Sequence, residues 1–172
     1  MAFAIPSVHT TVYLALVAIA LLACAAPLLV LRRKGVARTV RDVGLAALLI
    51  VPLTTALGYT MADNALRVED GRIMLRASHF YAQDRPLAEF GLERARAGDY
   101  AAIEEARLGT RSTGISLPGY AAGRFARRGG GEMLVLLTDR SRVVYLPART
   151  GASLLISVEH PQQFLAALRV AR

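Results

Sequence analysis

The chain has 172 residues, a formal net charge of +8 and a hydrophobic content of 54%. This length allows one domain with anchoring segments and excludes two independent soluble domains of ordinary size. A single cysteine excludes an intrachain disulfide and a cysteine metal cluster. The basic and acidic residues of the C-terminal part are interleaved, so the positive charge does not predict nucleic-acid binding.

Two long apolar segments without a formal charge lie near the N-terminus, at residues 10–31 and 43–62. As helices they would reach roughly 33 and 30 Å, close to the thickness of the hydrocarbon core of a bilayer. The sequence therefore predicts two transmembrane helices joined by a basic loop at residues 32–42. Neither span contains an ionisable residue, which disfavours a pore or a pump.

The first span has two alternative interpretations. A cleaved signal peptide is disfavoured because no basic segment precedes the apolar run. The motif around Cys24 (Leu21-Leu22-Ala23-Cys24) loosely resembles a bacterial lipobox, which would make Cys24 a lipidated N-terminus. The apolar run continues to residue 31, however, and a transmembrane helix remains the favoured interpretation.

The basic loop predicts the orientation of the chain. Lys and Arg resist translocation, so the more positive side of a span remains in the cytoplasm. The loop carries Arg32, Arg33, Lys34, Arg38 and Arg41. We therefore expect a multi-pass protein of the inner (cytoplasmic) membrane, with its N-terminus and its C-terminal domain extracytoplasmic.

From residue 63 onward the pattern is that of one polar-surfaced domain. Short apolar or alternating runs separated by turn signals predict strands at residues 72–76, 79–85, 87–90, 120–124, 132–138, 141–146 and 152–157. The regular spacing favours an antiparallel meander, either a barrel or a sandwich. The turn between 120–124 and 132–138 contains Gly129-Gly130-Gly131 and is typical of a hairpin rather than of a phosphate-binding loop.

Two helices are predicted within this domain. Residues 99–107 have Asp99 near the start and Arg107 near the end, which suits the helix dipole. A second helix begins at Pro161, since proline is favoured at the first helical position. Its apolar stripe is expected to pack on the core, and it consists of Phe164, Leu165 and Leu168.

Several sequence blocks resemble the bacterial pleckstrin-homology-like (PH-like) domain family. They are residues 107–120, Gly123-Arg124-Phe125, residues 137–147, and Ser157-Val158-Glu159-His160-Pro161 with Phe164 and Leu168. The resemblance covers roughly residues 66–170, and members often carry N-terminal membrane spans. One departure is His160, because such domains often have an Asp or Asn helix cap at this position.

The resemblance implies a partly open β-barrel of about seven strands capped by one helix, a fold that mostly hosts binding surfaces. The expected fold class is therefore two N-terminal transmembrane α-helices followed by a mainly-β PH-like barrel with a C-terminal α-helix as its cap. Residues 1–62 would form the membrane anchor, and residues 63–172 the PH-like domain.

No catalytic, cofactor-binding or metal-binding residues are predicted. The candidate nucleophiles lie outside any Gly-x-Ser-x-Gly motif, and they are Ser112, Ser116, Ser141, Ser153 and Ser157. The three histidines lack metal-ligand spacing, and they are His9, His79 and His160. The adjacent Glu104 and Glu105 would point about 100° apart on a helix, so they do not converge on one site.

A basic cluster beside the glycine turn is the best candidate for a contact surface. It consists of Arg124, Arg127 and Arg128, with Arg111 or Arg142 nearby. Arginine side chains in such a group would attract acidic lipid headgroups or the carboxylates of a partner. An ordinary solvated hairpin is the alternative interpretation.

Together these features predict a non-enzymatic, membrane-anchored PH-like binding or scaffolding module of the bacterial cell envelope. Its partner would be an unknown protein or anionic lipid. The alternative is an accessory subunit of a membrane complex that acts mainly through its transmembrane helices. Small residues on the second span would then allow close helix packing, and they are Gly44, Ala46, Ala47, Thr54 and Thr55.

Overall fold

The computed structural model describes residues 1–30, 35–78 and 81–171 of the chain. Contacts between residues divide the chain into two compact units. One unit consists of Met1–His9 and Met61–Arg172, and the other consists of Thr10–Thr60. The first residues, which were assigned to the anchor from the sequence, therefore lie with the β-rich part of the chain.

The unit Thr10–Thr60 is helical. Helix α1 spans Thr10–Ala25 and continues as a 3₁₀-helix over Ala26–Val30. Helix α2 spans Val36–Ala62, so it begins before the predicted span and includes part of the basic loop. By length and composition, Thr10–Leu29 and Val36–Ala62 are long and apolar enough to cross a membrane. Arg32, Arg33 and Lys34 of the predicted loop lie outside the described residues.

The first sheet contains four antiparallel strands in the order β1-β2-β3-β4. They are β1 Ala2–Phe3, β2 Ala65–Glu69, β3 Arg72–Ala77 and β4 Tyr81–Pro86. Asp70 and Gly71 both have positive φ and connect β2 to β3 through a two-residue hairpin loop. Apolar residues alternate along β2 and β3, and one face of the sheet is therefore buried.

Strand β1 joins the N-terminus to the domain. Ala2 and Phe3 pair with Arg67 and Leu66 of β2. The ring of Phe3 meets the ring of the buried Phe164 edge-on, with 4.7 Å between centroids. Neither β1 nor β2 was predicted from the sequence.

The second sheet contains six strands in the order β5-β9-β10-β8-β7-β6. They are β5 Arg96–Gly98, β6 Leu108–Leu117, β7 Tyr120–Arg127, β8 Glu132–Leu137, β9 Val143–Leu146 and β10 Ser153–Ser157. The predicted antiparallel meander is wrong at one point, because β10 pairs in parallel with β8. Strand β10 lies between β8 and β9, so the chain between those two strands has to cross the end of β10.

The centre of the second sheet is buried on both faces. On one face, Phe125, Met133 and Tyr145 belong to a cluster that is covered by Ile103 and Ala106. The opposite face is buried as well, and it includes Leu134, Leu136, Leu154 and Ile156. Burial on both faces explains why residues 133–137 form a continuous apolar run instead of an alternating one.

Two elements predicted from the sequence are wrong. The predicted strand at residues 87–90 is a 3₁₀-helix, Leu87–Glu89. The predicted helix at residues 99–107 is instead two short 3₁₀-helices, Tyr100–Ala102 and Glu104–Ala106. The chain leaves the helical conformation at Ile103 (φ −103°, ψ 85°), whose side chain is buried in the core cluster. Burial of this side chain takes precedence over the local helical pattern.

Strand β6 and its partner β7 approach each other very closely at Gly114 and Gly123, which face each other in the register. Both glycines have positive φ (127° and 129°). A Cβ atom at either position would overlap with the backbone of the facing strand, so only glycine is compatible with this pairing.

Helix α3, Pro161–Val170, confirms the predicted C-terminal helix. Phe164, Leu165 and Leu168 are buried, as the apolar stripe predicts. His160 makes no side-chain hydrogen bond at the N-terminus of the helix, in agreement with its departure from the family pattern.

Candidate binding site

The five arginines of the predicted surface lie at two ends of the second sheet. Arg111, Arg124, Arg127 and Arg128 lie toward the glycine turn that joins β7 to β8. Arg142 lies in the turn after β8, at the other end of that strand. A six-residue strand is about 20 Å long, so Arg142 does not belong to the same cluster.

The arginines near the glycine turn are divided between the two faces of the sheet. Successive side chains of a strand point to opposite faces, and Phe125 of β7 lies in the core cluster. Arg127 therefore lies on the face of Phe125, where its guanidinium donates to Tyr145 Oη at 2.9 Å. Arg111 of β6 lies opposite Phe125 in the register, whereas Arg124 lies on the other face.

Two of these arginines hold the hairpin together. Arg124 pairs with Glu132 across β7 and β8, at a distance of 3.2 Å. Arg127 Nε donates to the carbonyl oxygen of Gly130 at 2.7 Å and so closes the glycine turn. Arg111 and Arg128 have exposed side chains, and within the described part of the chain these side chains make no hydrogen bond or ion pair.

Arg142 is bound by a carboxylate of its own turn. Asp139, only 8% exposed, accepts hydrogen bonds from Ser141 N at 2.9 Å, from Ser141 Oγ at 2.7 Å and from Arg142 Nε at 2.8 Å. Burial by itself would raise the pKa of Asp139, but these hydrogen bonds and the arginine charge outweigh it, and the pKa lies below its usual value. Arg142 therefore has a structural role.

Ser157 completes this second turn. Its Oγ accepts from the backbone N–H groups of Thr138 and Asp139, both at 3.1 Å, and donates to the carbonyl oxygen of Asp139 at 2.7 Å. Ser157 is the last residue of β10, and this strand lies between the two strands that the turn connects. The turn therefore has to cross β10, and the side chain of Ser157 supplies the hydrogen bonds that its backbone groups need.

A cleft of about 360 Å³, which we call the β4–β8 cleft, opens beside Arg124. Strand β4 contributes Gln83 and Arg85 to its lining, and β7 and β8 contribute Arg124 and Glu132. The remaining lining comes from Glu89 and from residues 150–152 of the loop between β9 and β10.

Arg85 forms one wall of the β4–β8 cleft, and its contacts fix its position. Its guanidinium donates to Glu89 Oε2 at 2.6 Å, to the carbonyl oxygen of Ala152 at 2.7 Å and to the carbonyl oxygen of Thr150. The guanidinium also lies 4.7 Å from the centroid of the Phe90 ring. These bonds tie the loop at 150–152 to the first sheet.

Gln83, which lines the β4–β8 cleft, has an unsatisfied polar atom. It lies opposite the buried Leu75 in the register, on the inner face of the first sheet. Its Oε1 atom is buried and has no hydrogen-bond partner among the residues that the structure describes. A buried acceptor without a donor lowers the stability of the fold.

A second groove, of about 630 Å³, lies on the outer face of the first sheet. Its lining includes Arg67, Met74, Arg76 and Asp84. Arg76 forms an ion pair with Asp63 at 3.5 Å, and Asp84 forms one with Arg72 at 2.8 Å. Gln83 lines this groove as well as the β4–β8 cleft.

Sequence reasoning identified Arg124 but missed Gln83, Arg85 and Glu132. A signal was present, because residues 79–85 were predicted as a strand, and Gln83 and Arg85 are two positions apart. Two polar side chains on the same face of a strand that faces a core are unusual. Within residues 1–30, 35–78 and 81–171, no group of three or more His, Cys, Asp or Glu residues could hold a metal ion.

Residues 95–172 match the family model described as a bacterial PH domain. The match begins just before β5 and includes the whole second sheet and α3. Comparisons with curated proteins and with solved structures give no significant match. The family indicates a binding or scaffolding module. The resemblance noted in the sequence is thus confirmed over residues 95–172, and two apolar helices precede these residues in the chain.

Proposed function

We propose that the protein is a non-enzymatic, membrane-anchored binding or scaffolding module of the bacterial cell envelope. In this proposal α1 and α2 cross the cytoplasmic membrane as a hairpin, and the PH domain lies on the extracytoplasmic side. The two sheets and α3 would form the partly open, helix-capped barrel that the family resemblance implies. The partner would be a protein or an anionic lipid surface.

One observation carries the proposal. Met1–His9 and Met61–Arg172 belong to the same compact unit, and the chain leaves this unit at α1 and returns to it at the end of α2. If the two apolar helices span a bilayer, an even number of crossings is required, because the chain enters and leaves them at one folded unit. A hairpin of two spans meets this condition, and the basic residues 32–41 at its tip favour a cytoplasmic loop.

The contact surface is proposed to include the arginines around the glycine turn. Arg111 and Arg128 are its best candidates because their guanidinium groups are exposed and make no intramolecular bond within the described residues. Arg124, Arg127 and Arg142 belong to the surface predicted from the sequence, but each already binds a group of the chain itself.

The topology is tested with single-cysteine variants on a Cys24→Ala background, labelled in intact cells with a membrane-impermeant maleimide. Ser7→Cys, in the N-terminal segment, and Glu105→Cys, in the PH domain, place thiols at exposed positions. Val36→Cys places one at the start of α2. We expect the first two to react in intact cells and the third to react only after permeabilisation.

The matched pair in this experiment is Ser7 and Glu105. If these two positions label from opposite sides of the membrane, the hairpin is wrong. If both are protected while Val36 reacts, the hairpin stands and the orientation is reversed. The Cys24→Ala parent is the control for labelling that does not depend on the introduced thiol.

A role exercised mainly through the helices is the second candidate. Thr54 Oγ1 donates to the carbonyl oxygen of Ile50 at 2.8 Å, and Thr55 Oγ1 donates to that of Val51 at 2.8 Å. These hydroxyls are satisfied inside α2, next to Pro52, and can therefore face an apolar environment. Replacement of both helices by unrelated spans should abolish function under this alternative and preserve it under the first.

A further inference from the structure

We propose that the second half of strand β6, Thr113–Leu117, pairs with the same residues of a second copy of this chain. The two strands would run antiparallel across a two-fold axis at Ile115. This inference extends the proposed scaffolding role by naming a surface and its partner. It rests on the proposed membrane anchoring only for the confinement of the two copies.

Strand β6 leaves one edge of the second sheet open. It is the last strand in the order β5-β9-β10-β8-β7-β6, so β7 is its only neighbouring strand within the described residues. With 10 residues, β6 is also the longest strand of the described structure. The backbone N–H and C=O groups along such an edge can pair with another extended chain.

The other sheet edges are protected against such pairing. Strands β1 and β5 have only 2 and 3 residues, and β4 carries Asp84 and Arg85 and ends at Pro86. Short length, charge and proline all hinder the addition of another strand. In the first half of β6, Arg111 and the register shifts on both sides of it have the same effect. Thr113–Leu117 has no charge, proline or register shift, so it is the unprotected part of an edge.

The turn after β6 determines which backbone groups face the open edge. Residues 118–119 form a two-residue turn, with φ 84° at Gly119, so the residues on either side of it bond to each other. Because bonding alternates along an antiparallel pair, the backbone groups of Gly114 and Ser116 point away from β7. In a two-fold pair centred at Ile115, Gly114 faces Ser116 of the second copy, and the free groups of both strands meet.

Charge selects the antiparallel arrangement. A parallel pair in register would place Arg111 of one copy about 5 Å from Arg111 of the other. In the antiparallel pair, Arg111 faces position 119 of the second copy, and the two arginines are about 27 Å apart along the strand. This distance exceeds the screening length of about 8 Å at physiological ionic strength. The arginines of the glycine turn lie further from the axis than Arg111, since Leu108 pairs with Arg127.

The side chains of Thr113–Leu117 select a copy of the same strand rather than a charged peptide. None of them is charged, and Ile115 faces itself across the axis, while Thr113 faces Leu117. Facing β-branched and apolar side chains of this kind stabilise a strand pair. Ile115 and Leu117 are only half-buried in the single copy, and the second strand would cover them. Under the proposed topology both copies have the same orientation in one bilayer, which raises their effective concentration.

Disulfide trapping of the full chain in native membranes tests the pairing, on the Cys24→Ala background with copper phenanthroline as the oxidant. Ile115→Cys should give a disulfide-linked dimer, because facing residues of a non-hydrogen-bonded pair have Cα atoms about 4.5 Å apart. Ser112→Cys, at an exposed position of the same strand, is the control. Its two copies would lie about 20 Å apart, so we expect at least about tenfold less dimer.

A mixed pair of variants tests the register and leaves Ile115 unchanged. Copies with Thr113→Cys and copies with Leu117→Cys, expressed together with different tags, should cross-link to each other. Either variant alone should give at least about tenfold less dimer, because its two thiols would lie about 14 Å apart.

A proline on β6 tests the backbone bonds between the copies. Ser116→Pro removes an N–H group that points to the second copy and makes no bond to β7. The mixed pair should therefore cross-link at least about tenfold less in this background, since each copy loses a donor. Ser116→Ala keeps the N–H group and should leave the cross-linking unchanged.

Three results would overturn the inference: no dimer from either Ile115→Cys or the mixed pair, equal yields at positions 112 and 115, or cross-linking of the mixed pair that persists with Ser116→Pro. A disulfide from Ile115→Cys to a different protein would identify a foreign strand at this edge and would equally contradict it. Each of these results leaves the labelling of Ser7, Glu105 and Val36 variants unchanged. Failure of this inference is therefore distinguishable from failure of the proposed function.

Discussion

The two turns that flank strand β8 differ in the groups that satisfy them. The glycine turn, Arg127–Gly131, joins two neighbouring strands, and backbone groups and Arg127 close it. The wide turn, Thr138–Arg142, crosses the end of β10, and Asp139 and Ser157 accept hydrogen bonds from its backbone N–H groups. Each turn carries an exposed arginine, Arg128 or Arg142, but only Arg142 is bound by its own chain.

This difference separates a structural arginine from one that is available to a partner. The carboxylate of Asp139 fixes Arg142 through its Nε atom, so an anionic partner at this arginine would lie next to another negative charge. Arg128 has no such cost within the described residues. In the sequence the two arginines look alike, because both follow a strand and lie beside turn residues. Substitutions in the two turns test the distinction, and the largest effect is expected at Ser157.

Ser157→Ala should destabilise the protein by about 2–3 kcal/mol, because the backbone N–H groups of Thr138 and Asp139 lose their acceptor in a buried site. The measurement is urea unfolding of the full chain in mild detergent, followed by near-UV circular dichroism of tyrosine, since the chain has no tryptophan. Ser116→Ala, at an exposed position of β6, is the control and should change the stability by less than about 0.5 kcal/mol. Equal effects of the two variants would contradict the role of Ser157 in the wide turn.

Asp139→Asn should destabilise the protein by about 1–2 kcal/mol at neutral pH and change its acid sensitivity. The pKa of Asp139 is lower in the folded state than its usual value of 3.8. Its contribution to stability is therefore fully present above the unfolded pKa and is lost as the pH falls through the folded pKa. Wild type should lose more stability than the variant between about pH 6 and pH 3.

The same urea experiment, repeated across this pH range, checks the prediction. Parallel loss of stability in wild type and Asp139→Asn would mean that another carboxylate dominates the acid response. Asp99→Asn is a suitable comparison, because Asp99 is exposed and accepts a single backbone hydrogen bond from Ala101.

Arg127→Met should destabilise the protein by about 1 kcal/mol, since Tyr145 Oη and the carbonyl oxygen of Gly130 each lose a donor. The aliphatic part of the side chain is retained, so the change reports on the hydrogen bonds. Arg128→Met in the same turn is the control, with an expected change below about 0.5 kcal/mol. A loss of similar size in both variants would show that the turn depends on its charge rather than on these two bonds.

Arg111→Gln combined with Arg128→Gln should have the smallest effect on stability, below about 0.5 kcal/mol per site. It should nevertheless weaken the capture of phosphatidylserine vesicles by the nanodisc-embedded chain, since each basic residue near an anionic surface contributes about 1 kcal/mol. Arg142→Gln is the matched control and should preserve capture, because its guanidinium is bound to Asp139. Unchanged capture in the double variant would identify the glycine turn as an ordinary solvated hairpin.

The parts of the fold that sequence predicted are those with a strong local pattern. Residues 132–138 contain a continuous apolar run that only a buried strand or helix accommodates, and Gly129–Gly131 indicate the turn before it. The C-terminal helix has its proline at the first position and an apolar stripe at helical spacing. The tertiary contacts agree with these local preferences, so β8 and α3 were predicted correctly from the sequence.

The parts that sequence missed depend on distant contacts. Strand β6 is a polar edge strand whose residues 109–113 are exposed, so no alternation of apolar residues marks it. Strand β10 pairs in parallel with β8, whereas consecutive turn signals predict that neighbouring strands are antiparallel. At the candidate site, Arg142 was predicted to lie near Arg128. Strand β8 separates the two arginines by about 20 Å, and the sequence pattern of charges does not contain this distance.

Strand β1 makes the assembly of the protein a sequential process. The amino group of Met1 donates to the carbonyl oxygen of Val68 at 2.6 Å, across 67 positions of the chain, and both apolar helices lie between these two residues. Contacts across such a distance form late, because the intervening chain has to be confined first. Under the proposed topology, Ala2 and Phe3 remain unpaired at the membrane surface until both helices are inserted and β2 has followed. Strand β1 then completes the first sheet only after α1 and α2 have inserted correctly. A failure of insertion would therefore also leave the folded domain incomplete.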